Sequence, residues 1–150
     1  MPEPIEIKID DKEIQQYLKK LAEKTENLRP LMKNIAGIMM DSVEENFEKE
    51  GRPEKWTPLA KPTIRQRTKK GYYPGRILQM RGELAASITS KSDENSAIVG
   101  TNKVYAAIHQ FGGKAGRDKK AEIPARPYLK LGEKDFDSLN VQIVNYLKDL

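Results

Sequence analysis

The sequence predicts an α+β fold, in which long N-terminal helices pack on a small, mainly antiparallel sheet, with a long basic loop and a C-terminal helix. Three observations predict this fold: a long apolar stripe at helical spacing from residue 31 to 47, a hairpin pattern around residues 87–101, and an amphipathic C-terminal segment. The chain has 150 residues, which fits one domain because domains of about 100–150 residues are the commonest. We therefore expect a single domain over residues 1–150.

The N-terminal segment predicts a short strand and a first helix. Isoleucines alternate with charged residues over residues 5–9, which is typical of a strand with one buried face. Asp10 precedes Glu13 by three residues, as in a capping box, and apolar residues follow at helical spacing. The first helix is expected to run from this cap to about Glu26.

The second helix is predicted from Pro30 to Lys49. Proline suits the first turn of a helix, and Gly51 and Pro53 provide its end. Its apolar stripe makes it the expected centre of the core: Leu31, Ile35, Ile38, Met39, Val43 and Phe47.

A basic excursion without sustained periodicity follows at about residues 52–81. A short helix is predicted from Pro62 to Lys69, and a further helix from Leu78 to Ala86. A long connection of this kind is functional or mobile more often than it is a passive loop. Between residues 61 and 81 it has seven basic residues and no acidic one: Lys61, Arg65, Arg67, Lys69, Lys70, Arg76 and Arg81.

The remaining elements are a hairpin, a short helix, a strand and the C-terminal helix. Segments 87–91 and 96–101 flank the turn-forming sequence SDEN, which predicts the hairpin. The short helix starts at Val104 and ends before the glycines at 112 and 113. A strand interrupted by two prolines is predicted from Ile123 to Leu131, and the last helix carries its apolar residues from Phe136 onward.

Composition excludes several classes of protein. The chain has no cysteine, so disulfides, thiolate metal sites and cysteine nucleophiles are absent. No apolar run is long enough to span a bilayer, and the sequence MPEPIEIKID does not resemble a secretory signal. We expect a cytoplasmic protein that makes no membrane contact.

Residues for catalysis or metal binding are scarce. The single histidine, His109, has no recognisable nucleophile motif beside it, so a structural or interface role is favoured over catalysis. The adjacent acidic pairs at 10–11 and 93–94 are better explained by capping and turn formation than by a metal site. Phosphate-loop and dinucleotide motifs are missing. The sequence predicts no enzyme, cofactor, metal or small-molecule substrate.

Two basic segments are the candidate contact surfaces. The first comprises Lys61, Arg65, Arg67, Lys69, Lys70 and Arg76, and the second comprises Lys114, Arg117, Lys119 and Lys120. Three interpretations remain open: a solvated loop, a contact with an acidic neighbouring subunit, and direct contact with DNA. Tyr72 and Tyr73 lie within the first segment, where they could anchor a subunit interface or stack on bases.

Four blocks of sequence resemble the phage virion morphogenesis family, and the resemblance extends over roughly residues 5–150. They are WTPLAKPTIRQRTKKG at 56–71, ILQMRGELAASI at 77–88, VGTNKVYAAIHQFGG at 99–113 and AEIPARPYLKLGEKD at 121–135. Arg81 departs from the pattern, because many relatives have threonine before this glycine. The blocks occur in family order, so the resemblance is specific.

The resemblance implies a non-enzymatic structural protein of phage or prophage assembly, acting in tail completion and head–tail joining. It implies a homo-oligomeric ring, such as a hexamer, with other tail and head–tail connector proteins as partners and with DNA passing through the lumen. The expected location is the host bacterial cytoplasm during assembly and then the tail or neck of the virion. The alternative from the charge pattern is a basic nucleic-acid-binding module.

The matched blocks also suggest roles for particular residues. Tyr105 and Phe111 are expected in the core, where they would dock the short helix on the sheet. His109, Gln110 and Arg126 are polar groups among apolar ones, and local hydrogen bonding and contact with a neighbouring subunit are both open to them.

Overall fold

A computed structural model of the protein describes residues 5–6, 12–24 and 27–148. The first helix, α1, spans Lys12–Lys24, as predicted. The expected cap at Asp10, the end of the helix near Glu26 and most of the alternating N-terminal pattern lie outside the described residues.

The second helix, α2, is the centre of the core. It spans Arg29–Glu48 and has Pro30 in its first turn, as the sequence predicts. One face is buried along the whole helix and consists of Leu31, Met32, Ile35, Ala36, Met39, Ser42, Val43, Asn46 and Phe47. Aromatic packing closes the C-terminal end of this core, where the ring of Phe47 lies 5.8 Å from that of Trp56 and 5.3 Å from that of Tyr128.

Gly51 ends α2 in a conformation that requires glycine. Its φ is +111°, and its amide donates to the carbonyl of Asn46 at 2.9 Å. A Cβ atom at this position would lie 2.5 Å from the carbonyl oxygen of Glu54 and 2.7 Å from the amide nitrogen of Trp56. The tight turn therefore brings the chain back so that Trp56 packs on the helix that has just ended.

Two small antiparallel sheets accompany the helices. Strands β1 (Ile5–Glu6), β2 (Thr89–Ser92) and β3 (Ala97–Thr101) form a sheet in the order β1-β3-β2. The predicted hairpin is β2–β3, and its turn is held by Asp93, whose Oδ1 accepts the amides of Asn95 and Ser96, each at 2.7 Å. Strands β4 (Gly113–Ala115) and β5 (Ala121–Ile123) form the second sheet, a hairpin whose turn includes a 3-10 segment at Arg117–Lys119.

Four further helices lie in the described residues. They are α3 (Lys61–Lys69), α4 (Glu83–Ala86), α5 (Ala106–Phe111) and α6 (Glu133–Lys148). Helix α2 contacts both the β2–β3 hairpin and α6, and α1 packs on α6. The α+β class, with helices packed on a small antiparallel sheet, is therefore confirmed.

Three predicted boundaries are wrong. The helix predicted from Leu78 is reduced to α4, because Leu78 itself has a φ of +63° and cannot continue a helix. The strand predicted from Ile123 to Leu131 is not formed: β5 spans Ala121–Ile123 and ends directly before a proline that cannot donate to a ladder. The short helix begins at Ala106, two residues later than predicted.

Candidate functional site

Helix α3 presents a basic face to solvent. Lys61, Arg65 and Lys69 are spaced by four residues and are all exposed, so they form one stripe along the helix. The opposite face of the helix, with Thr63 and Arg67, lines a cleft. The stripe Lys61–Arg65–Lys69 is called the basic face below.

Arg67 is buried, unlike the other predicted basic contacts of its segment. Only 6% of the residue is exposed, and its Nη1 donates to the carbonyl of Arg76 at 2.9 Å. Burial lowers the pKa of Arg67, and the charge of Glu50 acts in the opposite direction. The expectation that Arg67 belongs to an exposed basic loop is therefore wrong. Lys70 and Arg76, from the same segment, are exposed.

The second basic segment forms a hairpin. Its four predicted residues lie on β4, in the turn and just before β5, and all are exposed: Lys114, Arg117, Lys119 and Lys120. The residues at the end of this hairpin, Ile123 and Pro124, line the same cleft as Ala60 and Thr63. Residues of both segments therefore line the same cleft.

Tyr72 and Tyr73 lie at the surface between α3 and α4. Their exposed fractions are 36% and 44%, and the guanidinium of Arg81 lies 6.0 Å from the centre of the Tyr72 ring. This placement leaves both rings open to a partner, as a role in an interface or in base stacking requires.

Gln110 and Arg126 make local hydrogen bonds. The Oε1 of Gln110 accepts the amides of Tyr128 and Leu129 at 3.1 and 2.9 Å, and its Nε2 donates to the carbonyl of Leu129 at 3.2 Å. Arg126 is 6% exposed and donates to the carbonyls of Thr57 and Pro58 at 2.9 and 3.0 Å. The sequence left two roles open for these residues, and the contacts that both make within the chain are local hydrogen bonds.

His109 lies against the aromatic ring of Tyr105, with the ring centres 6.0 Å apart. Its Nδ1 is buried and has no hydrogen-bond partner. Burial lowers the pKa of His109, and the positive charge of Arg126 lowers it further. Both effects favour the neutral form of the imidazole.

Phe111 was expected in the core, and this expectation is wrong. It is 69% exposed, and Val104, two residues before α5, is 76% exposed. Helix α5 is anchored instead by Ala106, which is 1% exposed and whose carbonyl accepts the hydroxyl of Tyr128 at 2.7 Å. Tyr105 is partly buried and packs against the core, in agreement with its predicted role.

The cleft has a volume of about 390 Å³ and lies between α3, the segment before α4, α5 and the end of β5. Leu59, Leu78, Met80 and Pro124 form apolar parts of its wall. Arg67, Arg126, Tyr105 and His109 also line it. Because it contains the buried arginines Arg67 and Arg126, it is called the arginine cleft below.

A buried polar network that the sequence analysis missed holds the segment 128–132 in place. Arg52 donates to the Oδ1 of Asn46 at 2.8 Å, to the Oγ of Ser42 at 2.7 Å and to the Oδ2 of Asp135 at 3.2 Å. The Nδ2 of Asn46 donates to the carbonyls of Tyr128 and Lys130 at 2.7 and 2.9 Å. Two polar residues within the apolar stripe of α2, Ser42 and Asn46, were the available signal.

Two further properties concern the part of the chain that the structure describes. Within it, no helix combines the length and apolar character needed to cross a membrane. Across the same residues, no group of three or more histidine, aspartate or glutamate side chains is arranged to hold a metal ion.

Comparison with known proteins gives consistent matches along the chain. The model of the phage virion morphogenesis family matches residues 9–148. The chain is 47% identical over 145 residues to Mu-like prophage FluMu G protein 2 of Haemophilus influenzae, covering 96% of each chain. It is 33% identical over 145 residues to a protein of Escherichia phage Mu whose name refers to capsid assembly, capsid assembly protein G, covering 91% of this chain and 92% of the relative.

A second protein of Haemophilus influenzae, Mu-like prophage FluMu G protein 1, is 33% identical over 150 aligned positions, with 97% of each chain covered. No solved structure gives a significant match.

Proposed function

The chain belongs to the phage virion morphogenesis family, and we propose that it is a non-enzymatic structural protein that completes the phage tail and joins it to the head. The observation that carries the proposal is the family match over residues 9–148, which includes the segments that form the arginine cleft and the buried network. A structural role in phage assembly follows from the family, and the step in assembly is the proposal.

The proposed working form is a homo-oligomeric ring, such as a hexamer, in contact with other tail and head–tail connector proteins. The exposed basic face of α3 and the β4–β5 hairpin support this form, because surfaces of one charge can select a partner of the opposite charge. Basic residues that lined a lumen would also face the DNA that passes through it. In this proposal the protein assembles in the host bacterial cytoplasm and ends in the tail or neck of the virion.

Deletion of the gene from its prophage tests the proposed step. After induction, electron microscopy should find heads and tails that are present but unjoined, and the number of infectious particles should fall. Supply of the gene in trans should restore joined particles. Normal numbers of joined, infectious particles would refute the proposal.

The same experiment separates head–tail joining from capsid assembly, the role that the name of the phage Mu relative states. If this chain acts in capsid assembly, the deletion should remove normal heads, whereas a joining protein should leave heads intact. The mass of the purified protein in solution, measured by native mass spectrometry, tests the ring independently of both.

A nucleic-acid-binding module is the second candidate function. It is favoured by the exposed basic face together with the exposed rings of Tyr72 and Tyr73, since lysine and arginine neutralise phosphates and tyrosine stacks on bases. It predicts retardation of DNA in a gel at low salt, with a logarithmic affinity that falls linearly as the logarithm of the salt concentration rises. Absence of retardation at low salt would exclude it.

A further inference from the structure

The two arginines of the arginine cleft are buried without an ion-pair partner, although the charge of Glu50 acts on Arg67. Arg67 and Arg126 are each 6% exposed, and within the described part of the chain neither takes part in an ion pair. Each donates only to backbone carbonyls, which carry no net charge. Removing a guanidinium from water without pairing its charge is unfavourable, so this arrangement is incomplete as an electrostatic site.

Both guanidinium groups keep unused hydrogen-bond donors. Arg67 uses one nitrogen, and Arg126 uses Nε and one Nη. In the described residues the only fully buried side-chain nitrogen or oxygen atoms without a partner belong to His109 and Asn140, so the unused guanidinium nitrogens remain accessible. Because both residues line the arginine cleft, the unused donors can be reached by a ligand that enters it.

Charged residues on the walls do not neutralise these arginines. Glu83 and Glu122 line the cleft but are exposed and form no ion pair in the part of the chain described. Arg81 adds a third positive charge at the wall. In agreement, burial lowers the pKa of Arg126, and the neighbouring charge of Arg67 lowers it further.

We propose that the arginine cleft receives an acidic side chain from a second copy of the chain, in a head-to-tail contact. This inference rests on the proposed ring and names the contact that would build it. A planar guanidinium with free N–H groups is suited to a carboxylate, which can accept two parallel hydrogen bonds. The apolar walls fit the aliphatic part of a glutamate side chain.

A phosphate of duplex DNA fits this cleft less well. The cleft has a volume of about 390 Å³ and a wall that is partly apolar, and a duplex presents each phosphate on a rigid backbone with charged phosphates on either side. The exposed basic face of α3 is a better surface for such a partner. The cleft therefore favours a single protruding side chain.

The outer face of α2 is the donor that we assign, because it carries three exposed carboxylates on one helix face. Asp41, Glu44 and Glu48 are exposed, lie three and four residues apart on the face opposite the core, and form no ion pair in the described part of the chain. By contrast, Glu94 already pairs with Arg29 at 3.3 Å, and Asp93 is engaged by the amides of its own turn. Asp41, Glu44 and Glu48 together are called the acidic face.

The contact is head-to-tail because donor and acceptor are different surfaces of the same chain. A contact of this type leaves an unused donor at one end and an unused cleft at the other, so it extends into a ring when the rotation between copies closes. A two-fold contact could use the same groups only if the cleft and the donor of each copy faced one partner at once. The charge distribution is thus compatible with the ring proposed above.

A small anion tests the site without any assembly. Sodium acetate is added to the isotope-labelled full-length protein, with sodium chloride at equal ionic strength as the reference, and the side-chain Nε–H signals of the arginines are followed by NMR. The signals of Arg67 and Arg126 should shift with acetate, and the signal of exposed Arg65 should not. Unchanged signals would overturn the site, even if the protein forms rings.

Assembly tests the occupant. Arg67→Met removes the charge of the cleft and keeps an apolar stem, and the triple variant Asp41→Asn, Glu44→Gln, Glu48→Gln removes the donors. Either change should raise the dissociation constant of self-association at least about 30-fold, as expected when one member of a buried charge pair is truncated. Arg65→Met, which removes the same charge from the opposite face of α3, is the matched control and should have a much smaller effect.

Mixing the two variants gives the sharpest result. The Arg67→Met protein keeps the donor face, and the triple variant keeps the cleft, so an equimolar mixture should form pairs, while each protein alone stays monomeric in native mass spectrometry. Pairs are the limit, because neither end can extend. The triple variant changes only exposed residues, so it remains informative even if Arg67→Met fails to fold.

The other outcomes have separate meanings. If Arg67→Met and the triple variant assemble with wild-type affinity, the inference fails and the proposed ring stands. If the wild type is monomeric although acetate shifts both arginine signals, the ring and the second-copy occupant fail together. If a short DNA duplex shifts these signals and acetate does not, the cleft is a phosphate site and the inference is wrong.

Discussion

Arg52 provides the most direct test of the buried network. Its side chain is 15% exposed, as is that of Asp135, which it contacts at 3.2 Å. It also donates to the side chains of Asn46 and Ser42. Arg52→Ala would therefore leave the amide oxygen of Asn46 without this donor and the carboxylate of Asp135 without its cation in a largely buried site. Asp135 Oδ2 would still accept the hydroxyl of Ser42 and the amide of Gly132.

The expected cost follows from these contacts. Removing one partner of a buried pair destabilises a protein by about 3–5 kcal/mol, whereas the more exposed ion pair of Arg52 with Glu45 adds at most about 1 kcal/mol. In a chain of this size, 1 kcal/mol shifts the melting temperature by about 2–4 °C, so the buried pair alone corresponds to a loss of about 6–20 °C. Thermal unfolding followed by circular dichroism measures this shift.

Arg76→Ala is the matched control for Arg52→Ala. Arg76 is also an arginine outside regular secondary structure, but it is exposed, so its replacement should change the free energy of unfolding by about 0.5 kcal/mol or less. If Arg52→Ala costs less than about 1 kcal/mol, the network does not hold segment 128–132 on α2. Equal effects of the two substitutions would refute the reasoning as well.

Three further predictions concern α5 and its surroundings. The pKa of His109 in the folded protein lies below its ordinary value of about 6.5. Its contribution to stability is therefore complete above that pH and is lost as the pH falls toward the folded pKa. His109→Gln should lessen the drop in melting temperature between pH 7.5 and 5.5. Tyr128→Phe should lower the free energy of unfolding by about 0.5–1.5 kcal/mol in urea titrations, since it removes the hydrogen bond from the Tyr128 hydroxyl to the carbonyl of Ala106. Phe111→Ser should change it by no more than about 0.5 kcal/mol, because this ring is exposed; a larger loss would return Phe111 to the core.

Local patterns predicted the regular elements well. The stripe of α2 extends over 20 residues with a proline at its start and a glycine after its end, so periodicity and end signals agree. The β2–β3 hairpin was predictable for a similar reason, because Asp93 closes its turn with bonds to residues two and three positions away. Both elements are determined by contacts that are close in sequence.

Burial in the short elements depended on contacts that the sequence pattern does not contain. In α5, only six residues long, the apolar residues fit more than one face, and Phe111 was assigned to the wrong one. In α3, the surrounding excess of basic residues concealed that Arg67 lies on the inward face. The network of Arg52 was also out of reach, since Ser42 and Asp135 are 93 positions apart.

The separation of buried from exposed charge changes what the net charge of +5 means. Arg67 and Arg126 contribute to the interior of the arginine cleft. The basic face and the β4–β5 hairpin carry clustered positive charge at the surface, while the acidic face of α2 carries the opposite sign. A surface divided in this way favours contact between copies over uniform attraction to a polyanion. The two candidate functions consequently respond in opposite directions when the acidic face is neutralised. Self-association should weaken, because an attraction between copies is removed. Binding to DNA should strengthen, because a repulsion of the phosphates is removed.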